Sequence, residues 1–198
     1  MYCKEETINT LIIEKSRFIC YLKHIRDEAE YRDYLSEIRR KHYDATHVCS
    51  AMICSPIRRS SDDGEPSGTA GVPILNVLDK HGMEDSCALV VRYFGGIKLG
   101  KGGLIRAYTE AVSRCIEKAV LYEDVVYQKY ELKLSYETAN RVEAFLRKNT
   151  ILLDTLYDID VTFIFACSDP QIPDTITDIT KGSRPQLCGE EIIPKVVE

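Results

Sequence analysis

The sequence predicts an α+β fold in two domains, residues 1–125 and 126–198, on three observations. A continuous apolar strand, "CALVVRYF" (87–94), passes through a glycine loop into the strongest helical pattern of the chain. Beyond residue 125, shorter segments follow in the order β-α-β-β-α-β, the split unit of a ferredoxin-like domain. The 198 residues, 44% apolar and 29% charged, can bury a core and lie outside the disordered class.

The elements follow in order. "NTLIIEKSRFICYLKHI" has the β-branched and aromatic content of a strand pair broken near Glu14 to Ser16. Asp27 can cap a helix whose apolar stripe is Tyr31, Tyr34, Leu35 and Ile38, ending near His42 or Tyr43. "ATHVCSAMICS" reads as a strand, and Pro56 to Gly68 as a surface loop. Thr69 is the expected N-cap of a short helix through "AGVPILNVLDKH", with Pro73 near its first turn and Gly82 at its end. After the "CALVVRYF" strand, Leu104, Ile105, Tyr108, Ala111, Val112, Cys115, Ile116 and Ala119 form one broad helical face.

The second domain opens with a strand to Leu134 and a helix capped by Ser135, with Ala139, Val142, Phe145 and Leu146 inward. Two strands follow in "ILLDTLYDIDVTFIFAC", where Ile159, Val161, Phe163 and Phe165 alternate with a period of two. Asp169 and Pro170 are read as the cap and first position of a short helix closed by Gly182, and "QLCGEEII" as a last strand.

Composition excludes several classes. The longest apolar runs are strand length, far below the ~20 residues that span a bilayer, so no membrane partner is expected. "MYCKEETINT" lacks the basic start and apolar stretch of a secretory signal, and a cytoplasmic location is expected. The eight cysteines contain no Cys-x-x-Cys pair and read as buried free thiols. The net charge is −5, with residues 1–125 holding 18 Lys and Arg against 19 Asp and Glu. That balance argues against a whole-surface polyanion binder and leaves room for a local basic site.

Two stretches carry candidate chemistry. Gly95 to Gly103 contains five glycines (Gly95, Gly96, Gly100, Gly102, Gly103) and two lysines (Lys98, Lys101) just before a helix N-terminus, with Arg92 and Arg106 on its flanks. Glycines allow close backbone approach and unpaired amides attract an anion, so an anion or RNA phosphate is the expected ligand. A tight strand-to-helix turn is the alternative reading. Gly95-x-x-x-x-Gly100-Lys101 copies most of a P-loop, but Gly102 stands where magnesium chemistry needs Ser or Thr.

The other stretch is "SSDDGEPSGTAG" (60–71), whose acidic loop comprises Asp62, Asp63, Gly64, Glu65 and Pro66. Its carboxylates could hold magnesium, or could serve turn formation and helix capping. Ser60, Ser61 or Ser67 with His47 and Asp62 could form a nucleophilic set, but no Gly-x-Ser-x-Gly elbow supports one. No catalytic residue is assigned.

"SSDDGEPSGTAGVPIL" and "VVRYFGGIKLGKGGLIRAYTEAV", preceded by "KSRFI" and "ATHVCSAMI", resemble the IMPACT family, in its bacterial YigZ-like branch. The resemblance covers nearly the whole chain. It implies an N-terminal domain with the fold of the second domain of a small-subunit ribosomal protein. It further implies a ferredoxin-like domain similar to a C-terminal domain of elongation factor G. It implies a link to translation, with a role in binding RNA or a ribosomal component, and a protein partner in eukaryotic relatives. By position, the family's patch falls on the acidic loop and on Arg92, Gly95, Gly96, Gly100, Gly102, Gly103 and Arg106. The expectation is a noncatalytic translation-associated regulator binding RNA or a ribosomal component through the basic glycine loop. The alternative is an enzyme or binding protein for a phosphorylated small molecule or nucleotide, with magnesium at the acidic loop.

Overall fold

The computed structural model describes residues 1–197, which form two sheets and five helices. The chain divides into two compact units, Met1–Glu123 with the chain end from Val196, and Asp124–Lys195.

In the first unit a short strand β1 (Tyr2–Cys3) precedes β2 (Thr7–Ile13) and β3 (Ser16–His24). Ile13 pairs with Ser16, so Glu14 and Lys15, both at positive φ, are the two-residue turn of this hairpin. Helix α1 (Glu28–Lys41) starts where Asp27 accepts a hydrogen bond from Glu30 N at 2.8 Å and stops at His42. There follow β4 (His47–Cys54), β5 (Ile57–Ser61), α2 (Gly71–Lys80), β6 (Ser86–Tyr93) and α3 (Gly100–Lys118).

The sheet order is β2-β3-β6-β4-β5, antiparallel throughout. Its central strands are buried on both faces, which is why "CALVV" has no polar alternation. Phe18, Cys20, Cys49, Ala51, Ala88 and Val90 pack with α2 and α3, including Ile74, Leu78, Leu104, Tyr108 and Val112. On the other face Tyr21, Val48, Met52, Leu89 and Val91 pack with Tyr31, Tyr34 and Ile38 of α1. Successive strand residues face opposite ways, so Arg92 shares the α3 side with Ala88 and Val90.

Two expectations for this unit change. Part of the loop read from Pro56 to Gly68 is strand β5, a mostly exposed edge whose register with β4 (Ser50 opposite Ser61) comes from backbone pairing rather than an apolar pattern. Thr69 does not cap α2, because its hydroxyl donates to Pro66 O at 2.6 Å and the helix takes its cap from Asp62.

The second unit is built from β7 (Leu121–Leu134), which begins in the first unit, α4 (Tyr136–Asn149), β8 (Ile151–Tyr157), β9 (Val161–Cys167), α5 (Ile172–Ile179) and β10 (Gln186–Val196). In its sheet β10, β7, β9 and β8 are neighbours in that order, and β1 pairs with the first two residues of β7. Leu132, Leu134, Phe163 and Phe165 face Val142, Leu146 and Ile176. Ile159 lies in the β8–β9 turn and is 85% exposed, so it does not extend the alternation of β9. Helix α5 begins two residues beyond Pro170, and Asp169 instead accepts from Gln171 N in the preceding turn. Ser135 precedes α4 as read, but its hydroxyl meets that of Thr138 rather than a helix amide.

Among the described residues no helix is long and apolar enough to cross a membrane. All eight cysteines are free; six are buried, Cys54 is half-buried and Cys188 is exposed.

Candidate functional site

The acidic loop sends its three carboxylates to three different places. Asp62 Oδ1 accepts from Ala70 N (2.9 Å) and Gly71 N (2.8 Å), and Oδ2 from Gly68 N (2.8 Å). These are donors at the start of α2, and an anion there also meets the positive end of the helix. Burial raises the Asp62 carboxyl pKa, but the three backbone N–H groups outweigh it and the net shift is downward.

Asp63 accepts from Arg39 Nη2 at 2.6 Å and from Val48 N at 2.7 Å, tying α1 to the start of β4. Glu65 is buried, and its Oε1 accepts from Arg92 Nη1 at 2.6 Å and from the Tyr108 hydroxyl at 2.8 Å. Burial pushes the Tyr108 pKa far up, which keeps its proton in place for Glu65. The crowding of acids in this stretch is therefore a clamp joining α1, α2, β4, β6 and α3. Among the described residues no group of three or more His, Cys, Asp or Glu side chains is placed to hold a metal ion.

His47 Nδ1 donates to the Asp63 carbonyl at 2.8 Å and bonds no serine hydroxyl. Ser61 Oγ accepts from Asp63 N at 3.3 Å. Of the residues weighed as a nucleophilic set, Ser61, His47 and Asp62 are each bonded to other partners.

The glycine loop divides by role. Gly95 is held against the β2–β3 turn: its N–H donates to Ser16 Oγ at 3.1 Å, and a Cβ there would lie 2.1 Å from the Lys15 carbonyl carbon. Gly100 opens α3 at φ +68°, a conformation that suits glycine. Neither α2 nor α3 has an acid in its first turn, but the amides that open α2 are met by Asp62 from the preceding loop, whereas among the described residues no side chain accepts from the amides that open α3. Lys98, Lys101 and Arg106 make no ion pair among the described residues.

The two loops meet. Glu65 and Pro66 of the acidic loop, Arg92, and Lys98, Gly100 and Lys101 line one cavity of about 350 Å³, completed by Thr46, His47, Phe94, Leu99 and Leu104. Gly96, Gly102, Gly103 and Arg106 lie in the loop and first helical turns and do not line it. Asp62, Asp63 and Gly64 stand behind it as support.

Arg92 is 5% exposed, with its charge met by Glu65 and its Nε without an acceptor. It is part of the cavity's buried frame rather than of the free basic flank. Phe94, Leu99, Leu104 and Tyr108 were not singled out as site residues from sequence. The available signal for Phe94 was an aromatic ending a buried strand directly before paired glycines.

A family model for the Impact N-terminal domain matches residues 14–116, which contain the whole of this cavity. The chain belongs to the IMPACT family. IMPACT family member YvyE of Bacillus subtilis is 39% identical over 194 residues, covering 94% of this chain and 89% of that protein. IMPACT family member YigZ of Escherichia coli is 32% identical over 188 residues, covering 90% and 92%. A solved structure described as that of a hypothetical protein has a TM-score of 0.61 and 28% identity, over 100% of this chain and 96% of the other.

Proposed function

We propose that this IMPACT family chain is a noncatalytic, translation-associated regulatory factor of the cytoplasm that engages RNA or a ribosomal component through its glycine loop. The observation that carries this reading is the start of α3, where uncapped amides stand beside two lysines with no carboxylate partner. Such a site takes a phosphate oxygen without further chemistry. Family membership supports the connection to translation. In this reading the first unit has the fold of the second domain of a small-subunit ribosomal protein. The same reading takes the second unit as ferredoxin-like, and its strand order β10-β7-β9-β8 with two helices supports this.

The test is cosedimentation with ribosomes and with total RNA at low salt, comparing wild type with Lys98→Glu/Lys101→Glu. Each phosphate contact to a single strand contributes about 0.7 to the slope of log affinity against log salt, so losing two should lower the slope by about 1.4. Loss of cosedimentation by the folded variant is the expected result. Unchanged binding would reject the glycine loop as the contact.

A further inference from the structure

The glycine loop accounts for a phosphate at the mouth of the cavity but not for what lies behind it. Phe94 is 45% exposed at the end of β6. The Arg92 guanidinium stands 5.5 Å from its ring centroid, and Leu99, Leu104 and Pro66 add further apolar lining. At about 350 Å³ the cavity is in the range that holds small planar ligands.

Beside the cationic Arg92, Lys98 and Lys101, its polar lining offers two acceptors. His47 must carry its proton on Nδ1 to donate to the Asp63 carbonyl, which leaves Nε2 as an acceptor when the ring is neutral. Glu65 Oε2 receives no hydrogen bond, since Arg92 and Tyr108 both use Oε1. With the ring neutral these two acceptors lie 3.9 Å apart, a spacing that would be an ion pair with the ring protonated, and among the described residues no hydrogen bond reaches either. One N–H₂ group could serve both.

We infer that the cavity receives one unstacked nucleotide of a single-stranded RNA, with its base on Phe94 and its phosphate at the start of α3. The base is one bearing an exocyclic amino group, presented to Glu65 Oε2 and His47 Nε2. The inference rests on the reading of the glycine loop as a phosphate site and adds to it the ligand's other end. A base has the flat π-face that an exposed aromatic takes, and single-stranded RNA offers bases free of a stack. The charges agree: Arg92 and Glu65 cancel, and Lys98 and Lys101 remain for one phosphate.

The experiment titrates the full chain into short single-stranded oligonucleotides carrying 2-aminopurine at one position, reading both fluorescence anisotropy and 2-aminopurine quenching. Expected for wild type are binding at low salt and a change in quenching with the 2-aminopurine oligonucleotides. With end-labelled oligonucleotides lacking 2-aminopurine, which itself bears an exocyclic amino group, oligo(A) or oligo(C) should bind 2- to 10-fold tighter (on the order of one hydrogen bond) than oligo(U). Phe94→Ala should weaken binding about 5- to 150-fold, the range for loss of one base–aromatic stack, and remove the quenching change. Phe94→Tyr should restore both. Phe94 is partly exposed, and circular dichroism confirms that each variant is folded.

The two claims fail separately. If Lys98→Glu/Lys101→Glu abolishes binding but Phe94→Ala leaves affinity and quenching unchanged, the base pocket is overturned and the phosphate site stands. If wild type binds no oligonucleotide, or if the double lysine variant binds as wild type does, the phosphate reading falls and the pocket proposal with it. Equal affinity for oligo(U) overturns the paired-acceptor assignment. Free AMP binding as tightly as the oligonucleotide would assign the same chemistry to a small nucleotide and overturn the RNA assignment.

Discussion

Replacing Asp62 with alanine would strip the start of α2 of its internal anion. The carboxylate accepts from Gly68, Ala70 and Gly71 at 2.8, 2.9 and 2.8 Å, and Ala70 and Gly71 are buried. A lost helix cap costs about 0.5–2 kcal/mol, and a buried donor left without a partner about 1–3 kcal/mol. Water can reach the less buried Gly68, so Asp62→Ala should cost about 3 kcal/mol, equivalent to about 6–12 °C in melting temperature for a chain of this size. Asp62→Asn should cost about half as much, because one oxygen can keep the Ala70 and Gly71 bonds while the amide cannot accept from Gly68. The pH dependence has a definite sign. The folded-state pKa is lowered, so the stabilisation is fully present above the unfolded value near pH ~4 and is lost as pH falls through the folded value. The difference between wild type and Asp62→Asn should therefore be constant at neutral pH and narrow only in acid. Urea unfolding at several pH values, with hydrogen exchange at the Ala70 and Gly71 amides, measures this. A cost for Asp62→Ala below about 0.5 kcal/mol, or unaltered protection of those two amides, would refute the capping argument.

Other residues give separate tests. Glu65→Ala leaves the buried Arg92 without its counter-charge and should cost about 3–5 kcal/mol by urea unfolding, while Glu65→Ala combined with Arg92→Met should cost less than Glu65→Ala alone. Gly95→Ala should cost about 3 kcal/mol or more, since its Cβ would meet the Lys15 and Ser16 backbone at 2.1–2.4 Å. Gly96→Ala, with nothing within 4 Å but φ at +86°, should cost only about 1–2 kcal/mol. In a thiol-reagent time course at pH 8, the exposed Cys188 should react first. Cys49, whose pKa burial pushes up to about 12, should react only on unfolding.

The α+β class was legible where periodicity and caps were local. Asp27 marks the start of α1, Glu14 and Lys15 the hairpin turn, and the "CALVVRYF" run the two-faced central strand. Strand β5 was not legible, because "IRRSS" lies at a solvated edge and its pairing with β4 is made by backbone alone. The cap of α2 was misplaced for a related reason: Asp62 sits eight and nine residues before the amides it serves, outside any local capping pattern. Both loops of the candidate site were visible as composition. Their meeting at one cavity was not, because it depends on Arg92 facing α3 and on Glu65 reaching both β6 and α3. Phe94 and Leu104 become site residues only through that long-range arrangement.

The most direct test of the central claim is an amide NMR titration of the full chain with a short single-stranded RNA at low salt. The account predicts that the Gly100, Lys101 and Gly102 resonances move together and saturate with the affinity seen by anisotropy. Saturable binding that leaves those three amides in place and moves resonances of β7 to β10 instead would contradict it.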